Sequence, residues 1–551
     1  MVDGAREERL ESALAPKKQT EAAIPRESRF HAPRYRAVLI AAIASLLAAP
    51  PHTVCAADEA LTADEVSRIL AQAAAGAASV GLSANISVVD AEGRSLGLLR
   101  MDGAPALTRF QPVEGANGLG LETVDTGVAA FAKAASGALL SSGGNAFSTR
   151  TASFIVQEHF PPGIDFTSGG PLFGVQFSSV RCSDVNPVSP LGLAADPGGF
   201  PLYKNGRLVG GVGVEGDGTY ALDRRPDLVD VPREEQAARA GQRGFEPPEI
   251  IRADHILADG IRLAYTDTDA AAAGAARPGL ILDGPRAGGQ APRTDVTLGG
   301  VAGQADPRYP TRAGQVLSAG DVNTILTQAA QQTGRTRAAI RQPLGSSARV
   351  SIAVVDLGGD VLGFFQNADA PRFGIDVSVQ KGRTALFFSS ADAAAALGRL
   401  GLGRYLRDGV PLDGSVAYTS RAVGFLAQPF FPPGIPDTSE GPFSQPIGTW
   451  SIFNTGLQLD LIKGGLLTRN CVPGEPRLRN GITIFPGGIP LYKGGRLAGA
   501  IGISGDGVDQ DDLIAAAGTA GFEAPPERRS DQLVIRGVRL PYVKTPRHPE
   551  L

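Results

Sequence analysis

The sequence predicts an α+β protein built as two homologous domains, each an antiparallel sheet with packed helices, the two forming a pseudo-dimer within one chain. Three observations predict it. PGGFPLYKNGRLVGGVGVEGDG at Pro197–Gly218 returns as PGGIPLYKGGRLAGAIGISGDG at Pro486–Gly507, identical at 15 of 22 positions without a gap. Each copy is flanked by helix and strand patterns in the same order. The strand pairs are joined by turns too short for a parallel crossover, so they pair antiparallel. A length of 551 residues allows two or three domains with separate cores, and 71 Gly with 41 Pro favour turns over a helical bundle.

The elements follow in order. Residues 1–57 read as a leader and signal peptide: a polar stretch ending in Arg34-Tyr35-Arg36, then the apolar AVLIAAIASLLAA, too short to span a membrane, then small residues at Cys55, Ala56 and Ala57. This predicts an exported, periplasmic protein with no stable membrane span after cleavage. The first domain, 58–265, opens with LTADEVSRILAQAAAGAA, where Thr62 and Glu65 form a capping box before an amphipathic helix; the second, 316–545, opens alike with Ser318 and Asp321. A hairpin follows in each, turning just after Asp90 or Asp356. The second helix reads DTGVAAFAKAASGALLSS in the first copy and DVSVQKGRTALFFSSADAAAAL in the other. A loop containing FPPGI comes next, at Phe160–Ile164 and Phe431–Ile435, then the repeated hairpin, a helix and a short closing strand pair. Residues 266–315, rich in Ala, Gly, Pro and Asp, read as a linker.

In the repeated hairpin, Asn-Gly or Gly-Gly between two apolar runs is the chemistry of a two-residue turn. The returning strand carries Gly210, Gly213 and Gly216, and again Gly499, Gly502 and Gly505. Glycine weakens a strand, so something lies close against this one: a helix, another subunit or a planar ligand. The GxGxxG reading of Gly211–Gly216 is weak, because the second copy has Ala500 at its first position.

Several classes are excluded or disfavoured. A net charge of −4 with 20% charged residues leaves no basic field for nucleic acid. Cys182 and Cys471 each stand 15 residues before their copy of the motif. Such equivalent cysteines form either an interdomain disulfide or two separate thiols, and the absence of CxxC removes thioredoxin-type chemistry and c-type haem attachment. No GxSxG, Walker or HExxH pattern occurs, which weakens an enzyme reading. The carboxylates Asp217, Asp506, Asp509, Asp511 and Asp512 match no EF-hand spacing and suit a helix N-terminus.

The order of the LTADEV helix, ISVVD hairpin, Lys-x-x-Thr helix and GGIP-to-GISG hairpin resembles the GlcG/HbpS-type haem-binding family, which includes the C-terminal part of PduO-type proteins. The resemblance covers roughly 60–265 and 316–545, and it implies small α+β domains, oligomeric assembly and haem as cofactor. In SVQKGRTALFF it implies that Thr384 lies at or near the haem iron, with Lys381 and Arg383 facing propionates. The first copy keeps Lys133 but has Ser136 in place of Thr and Gly137 after it. His159 in VQEHFPPGI is a second candidate iron ligand, matched by Phe430 in the other copy. The reading is thus an exported haem-binding or haem-handling protein. The alternatives are an enzyme acting on haem or a small metabolite, and a ligand-free accessory pseudo-dimer.

Overall fold

A computed structural model describes residues 60–110, 122–225, 228–275, 278–446, 449, 456–468, 471 and 474–548. The predicted leader, 1–57, lies outside the described residues. No helix among them is long and apolar enough to cross a membrane. Both copies fall within one compact unit, Cys55–Leu551.

The first copy runs α1 (Ala63–Ser79), hairpin β1 (Asn85–Asp90) and β2 (Ser95–Met101), α2 (Thr126–Leu139), α3 (Thr149–Ile155), hairpin β3 (Gly199–Lys204) and β4 (Arg207–Glu215), and α4 (Arg233–Gln242). Both halves of the capping box at Thr62 and Glu65 form. At the β3–β4 turn Asn205 and Gly206 take φ of 52° and 75°, the left-handed pair that a two-residue hairpin turn requires. The strand between the copies is β5 (Gly279–Asp283), followed by a hairpin of β6 (Thr294–Leu298) and β7 (Val301–Ala305). The second copy runs α5 (Ala319–Thr333), β8 (Val350–Val355), β9 (Val361–Asn367), α6 (Gly374–Phe388), α7 (Ala393–Arg399), α8 (Ser420–Leu426), α9 (Leu457–Thr468), β10 (Gly488–Lys493), β11 (Arg496–Gly505) and α10 (Val508–Gly518).

The result is a mixed α/β architecture on two antiparallel main sheets. Their strand orders are β5-β2-β1-β4-β3 and β6-β7-β9-β8-β11-β10. In each, the first strand of the early hairpin pairs with the returning strand of the repeated hairpin, from Asn85↔Glu215 to Asp90↔Gly210 and from Val350↔Gly505 to Val355↔Ala500. Successive strand residues face opposite sides. A Cβ at Gly213 would meet the Ala130 carbonyl of α2 at 2.2 Å, while Val212 lies against Gly241 of α4. Helices α1 and α4 therefore cover one face and α2 the other; α5, α10 and α6 repeat the arrangement.

Three differences from the sequence expectation have physical causes. The stretch 266–315 supplies β5 to the first sheet and β6–β7 to the second, so it is bound at both sheet edges. The long helix expected in the second copy is two, α6 and α7; the Ser389 hydroxyl accepts from the Tyr418 amide at 2.9 Å and the Ser390 hydroxyl bonds back to the Leu386 carbonyl. Pairing is also not wholly antiparallel, since Leu107–Phe110 runs parallel to Thr219–Tyr220 in a small side sheet. The cores interlock: Phe373, Val377 and Phe485 bury in the first-copy core, and Leu459 and Ile462 of α9 pack with Ala129, Ala132 and Phe177.

Candidate functional site

The Lys-x-x-Thr helix is α6, seated on the glycine strand. A Cβ on Gly502 would lie 1.9 Å from the Ser378 carbonyl of α6. Among the three occupants the strand glycines allowed, the chain's own helix takes the place. Lys381, Arg383 and Thr384 are accordingly all buried. Lys381 and Thr384 diverge, so they do not form the single haem site that the resemblance implied. The Lys381 ammonium donates to the Ile503 carbonyl at 2.8 Å and to Asp511 Oδ2 at 2.7 Å, and stands 4.8 Å over the Phe485 ring. The Thr384 hydroxyl donates to the Gln380 carbonyl at 2.8 Å and accepts from the Thr483 amide at 2.9 Å. Arg383 reaches the other copy: it pairs with both Asp184 oxygens at 2.7 Å and also donates to Asn480 Oδ1 and the Gly359 carbonyl. Burial lowers the Lys381 pKa and raises that of Asp511 to about 7, each partly offset by the other's charge.

The equivalent position in the first copy is more acidic. Lys133, fully buried on α2, has its ammonium 2.5 Å from Asp196, 2.7 Å from Glu215 and 2.5 Å from Glu234. The carboxylates also serve the backbone and a hydroxyl. Glu234 accepts from the Gly216 and Asp217 amides, Asp196 from the Ala221 amide, and Glu215 from the Thr108 hydroxyl at 2.6 Å. Burial raises all three carboxyls, Asp196 and Glu215 to about 7 and Glu234 to about 8, with their mutual repulsion adding and Lys133 opposing. For Lys133 burial works downward, but the three carboxylates together hold its pKa well above the ordinary value. The three acids have the spacing of a metal cluster, with ligand atoms within 4.8 Å of one another. The lysine ammonium, touching each of them, is the cation there. Ser136 donates to the Ala132 carbonyl and accepts from the Ala194 amide at 2.5 Å.

Sequence reading missed the three acids because they come from a loop, a strand end and α4. One signal was available: Lys133 sits on an Ala-rich apolar helix, where a buried ammonium demands a counter-charge. The stretch opening α10 is likewise neutralised by side chains as well as by the helix terminus. Arg421 pairs with Asp509 and Asp512 at 2.5 Å, and Arg341 with Asp506 at 2.6 Å. Asp217 caps its own turn through the Thr219 amide.

His159 and Phe430, equivalent in the two copies, stack on each other with ring centroids 5.6 Å apart and an 18° interplanar angle. His159 Nδ1 donates to the Thr167 carbonyl at 2.7 Å, which leaves the lone pair on Nε2. Cys182 and Cys471 are joined by a disulfide. The structure thus gathers the predicted ligand-site residues into five separate places: Lys381 on Asp511, Thr384 on the Thr483 amide, Lys133 with Ser136 on α2, Arg383 at the contact between copies, and His159 on Phe430.

The family model described as HbpS-like, haem degrading protein HbpS-like, matches residues 455–520. This segment contains the whole second repeated hairpin, one of the motifs that carried the sequence resemblance, while the Lys-x-x-Thr helix at Gly374–Phe388 lies outside it. Two solved structures resemble the chain: protein ORFY of Klebsiella pneumoniae, at 17% identity over 39% of this chain and 95% of that one, TM-score 0.21, and a complex of PduOC with haem, at 18% identity over 38% and 97%, TM-score 0.20. At those scores neither likeness carries an argument about this chain. No curated protein matches it.

Proposed function

We propose, for a chain whose residues 455–520 match the HbpS-like family model, that the protein is exported and binds or handles haem through tandem domains, 58–265 and 316–545, acting as a covalent pseudo-dimer. The family match is the observation that carries this reading. The equivalent cysteines joined in a disulfide support the pseudo-dimer and an oxidising compartment.

The residues present fit haem unequally. Lys133, Ser136, Lys381 and Thr384 have no accessible surface, and their polar groups are engaged within the fold. As packed, they do not fit a macrocycle. His159 fits better, since its Nδ1 bond orients the ring and presents Nε2 as the free nitrogen, the arrangement found in imidazole ligands. In this reading His159 holds the iron, Phe430 supports the ring from behind, and haem supplies whatever redox chemistry the protein performs.

Haemin titration followed by absorbance tests the reading. The expected result is a saturable Soret shift that His159→Ala abolishes, while Thr384→Ala lowers stability and leaves the shift. Absence of any shift overturns the haem reading and favours an accessory role. The family's description as haem-degrading favours one further reading, catalysis, which a time-dependent loss of the Soret band with added reductant and oxygen would reveal.

A further inference from the structure

Where the first-copy hairpin meets the segment between the copies, the protein contains a cavity of about 540 Å³ lined by Glu92, Arg94, Arg293, Asp306 and Arg308 over an apolar wall that includes Ile375 of α6. A second cavity of about 490 Å³ shares Arg94, Pro187 and Val188 with it and continues over Leu98 and Phe131. The two make a trough with a charged end and a mainly apolar end, whose lining also includes Asp125, paired with Arg100 at 3.0 Å. Both volumes are in the range of small-molecule sites.

The charged end is short of negative charge. Four guanidiniums (Arg94, Arg293, Arg308 and Arg372) face three carboxylates (Asp90, Glu92 and Asp306), an excess of one positive charge. Arg308 is consumed by a close pair with Asp306 and by the Val185 carbonyl at 2.7 Å. Arg372 stands 3.6 Å from Glu92, and Arg94 stands 3.7 Å from Asp90. Two groups there are left short: Glu92 Oε1 has no hydrogen-bond partner, and Arg293 lacks a full set of acceptors. Its side chain is 7% exposed, its Nη2 donates to Glu92 at a long 3.3 Å and its Nη1 to the Pro292 carbonyl at 3.2 Å, and its Nε has no hydrogen-bond partner. A buried guanidinium N–H without an acceptor carries a desolvation penalty that an anion would remove. Burial, with Arg372 and Arg308 nearby, also moves the Arg293 pKa down despite Glu92 and Asp306, whereas Arg150 and Arg421 move up among their acids.

The geometry points to a binding trough for an amphipathic organic acid, its carboxylate accepting from Arg293 and Arg94 and its apolar body lying along Val188, Pro187, Leu98 and Phe131. Guanidinium donors match a carboxylate in charge and planar shape, and the apolar walls reward a body that leaves water. Applied to haem, the inference rests on the function proposed above and assigns the trough to a propionate; it does not depend on what ligates the iron.

Iron-free protoporphyrin IX is the first probe, titrated by its fluorescence against the full chain, with its dimethyl ester as the uncharged control. Wild type is expected to bind the free acid at least about tenfold more tightly than the ester, the size of one charge-assisted hydrogen bond. Arg293→Gln should lose a similar factor, and Val188→Trp, which fills the trough without touching a charge, should lose binding while circular dichroism shows it folded. Equal affinity for acid and ester, or full affinity in both trough variants, overturns the trough, and a Soret shift with haemin in the same preparation would show that the haem reading survives. Dodecanoate, titrated calorimetrically against the same proteins, tests the trough without a porphyrin. Failure of wild type to bind either probe overturns it, and dodecanoate binding lost in Arg293→Gln with no haemin shift would retain the trough and reject haem.

Discussion

Glu215→Gln should stabilise the protein at alkaline pH, although it removes a buried partner of a buried lysine. Lys133 meets three carboxylates, so the fully ionised cluster carries two uncompensated negative charges out of water. Glu215 is held at about 7 instead of 4.5, which amounts to about 3 kcal/mol against its ionised form. In the unfolded chain the proton leaves near pH 4.5, while in the folded chain it stays until near pH 7. Between these values the folded state holds more protons, and stability falls as pH rises. Asp196 and Glu234, raised to about 7 and 8, extend the same slope toward pH 8. Glutamine keeps the shape, can turn its oxygen to Lys133 and its amide to the Thr108 hydroxyl, and removes one charge. Allowing for the attraction to Lys133 that is lost, the gain at pH 8 should be about 1–2 kcal/mol, vanishing by pH 5. The second copy supplies the contrast, since Ser504 replaces Glu215 in register and Lys381 has Asp511 as its ion-pair partner. There Asp511→Asn leaves the buried lysine without its ion-pair partner, keeping only the Ile503 carbonyl and the Phe485 ring, and should cost about 3 kcal/mol. Urea unfolding at pH 5 and pH 8 reads both. A loss of stability at pH 8 in Glu215→Gln comparable with Asp511→Asn, or a wild-type stability flat across this interval, would refute the charge-excess argument.

Other outcomes follow from the same contacts. Replacing both Cys182 and Cys471 by serine should cost about 2–4 kcal/mol, and dithiothreitol should shift the unfolding midpoint of the wild type but not of that variant. Gly502→Ala drives a Cβ into the Ser378 carbonyl and should cost about 3 kcal/mol or prevent folding. Gly398→Ala, in α7 with open space around it, should be neutral or stabilising by up to about 1 kcal/mol; urea midpoints separate the two. Arg383→Ala breaks the bidentate pair with Asp184 across the copies and should cost about 3 kcal/mol, a loss that Asp184→Asn in the same background should partly recover.

The capping boxes at Thr62 and Ser318, the hairpin turn at Asn205-Gly206 and the repeat itself were legible because each is decided within a few residues by backbone geometry and local hydrogen bonds. The close approach to the glycine strand was legible as well, but not the identity of what approaches. Composition marked 266–315 as linker, and nothing local contradicts that, because β5 and the β6–β7 hairpin become strands only where β2 and β9 offer unpaired edges. The Lys-x-x-Thr spacing placed Lys381 and Thr384 correctly on one helix without revealing that one turns to α10 and the other to the Thr483 amide. Which acids surround Lys133, which ring stacks on His159 and where Arg293 loses its acceptor depend on residues far apart in sequence. Sequence alone determined the capped first helices and the repeated hairpin with its turn, since those rest on short-range sterics and periodicity. Tertiary structure alone decided which buried charges meet, because electrostatic energy in a low-dielectric interior depends on distances of a few ångströms that spacing along the chain does not encode.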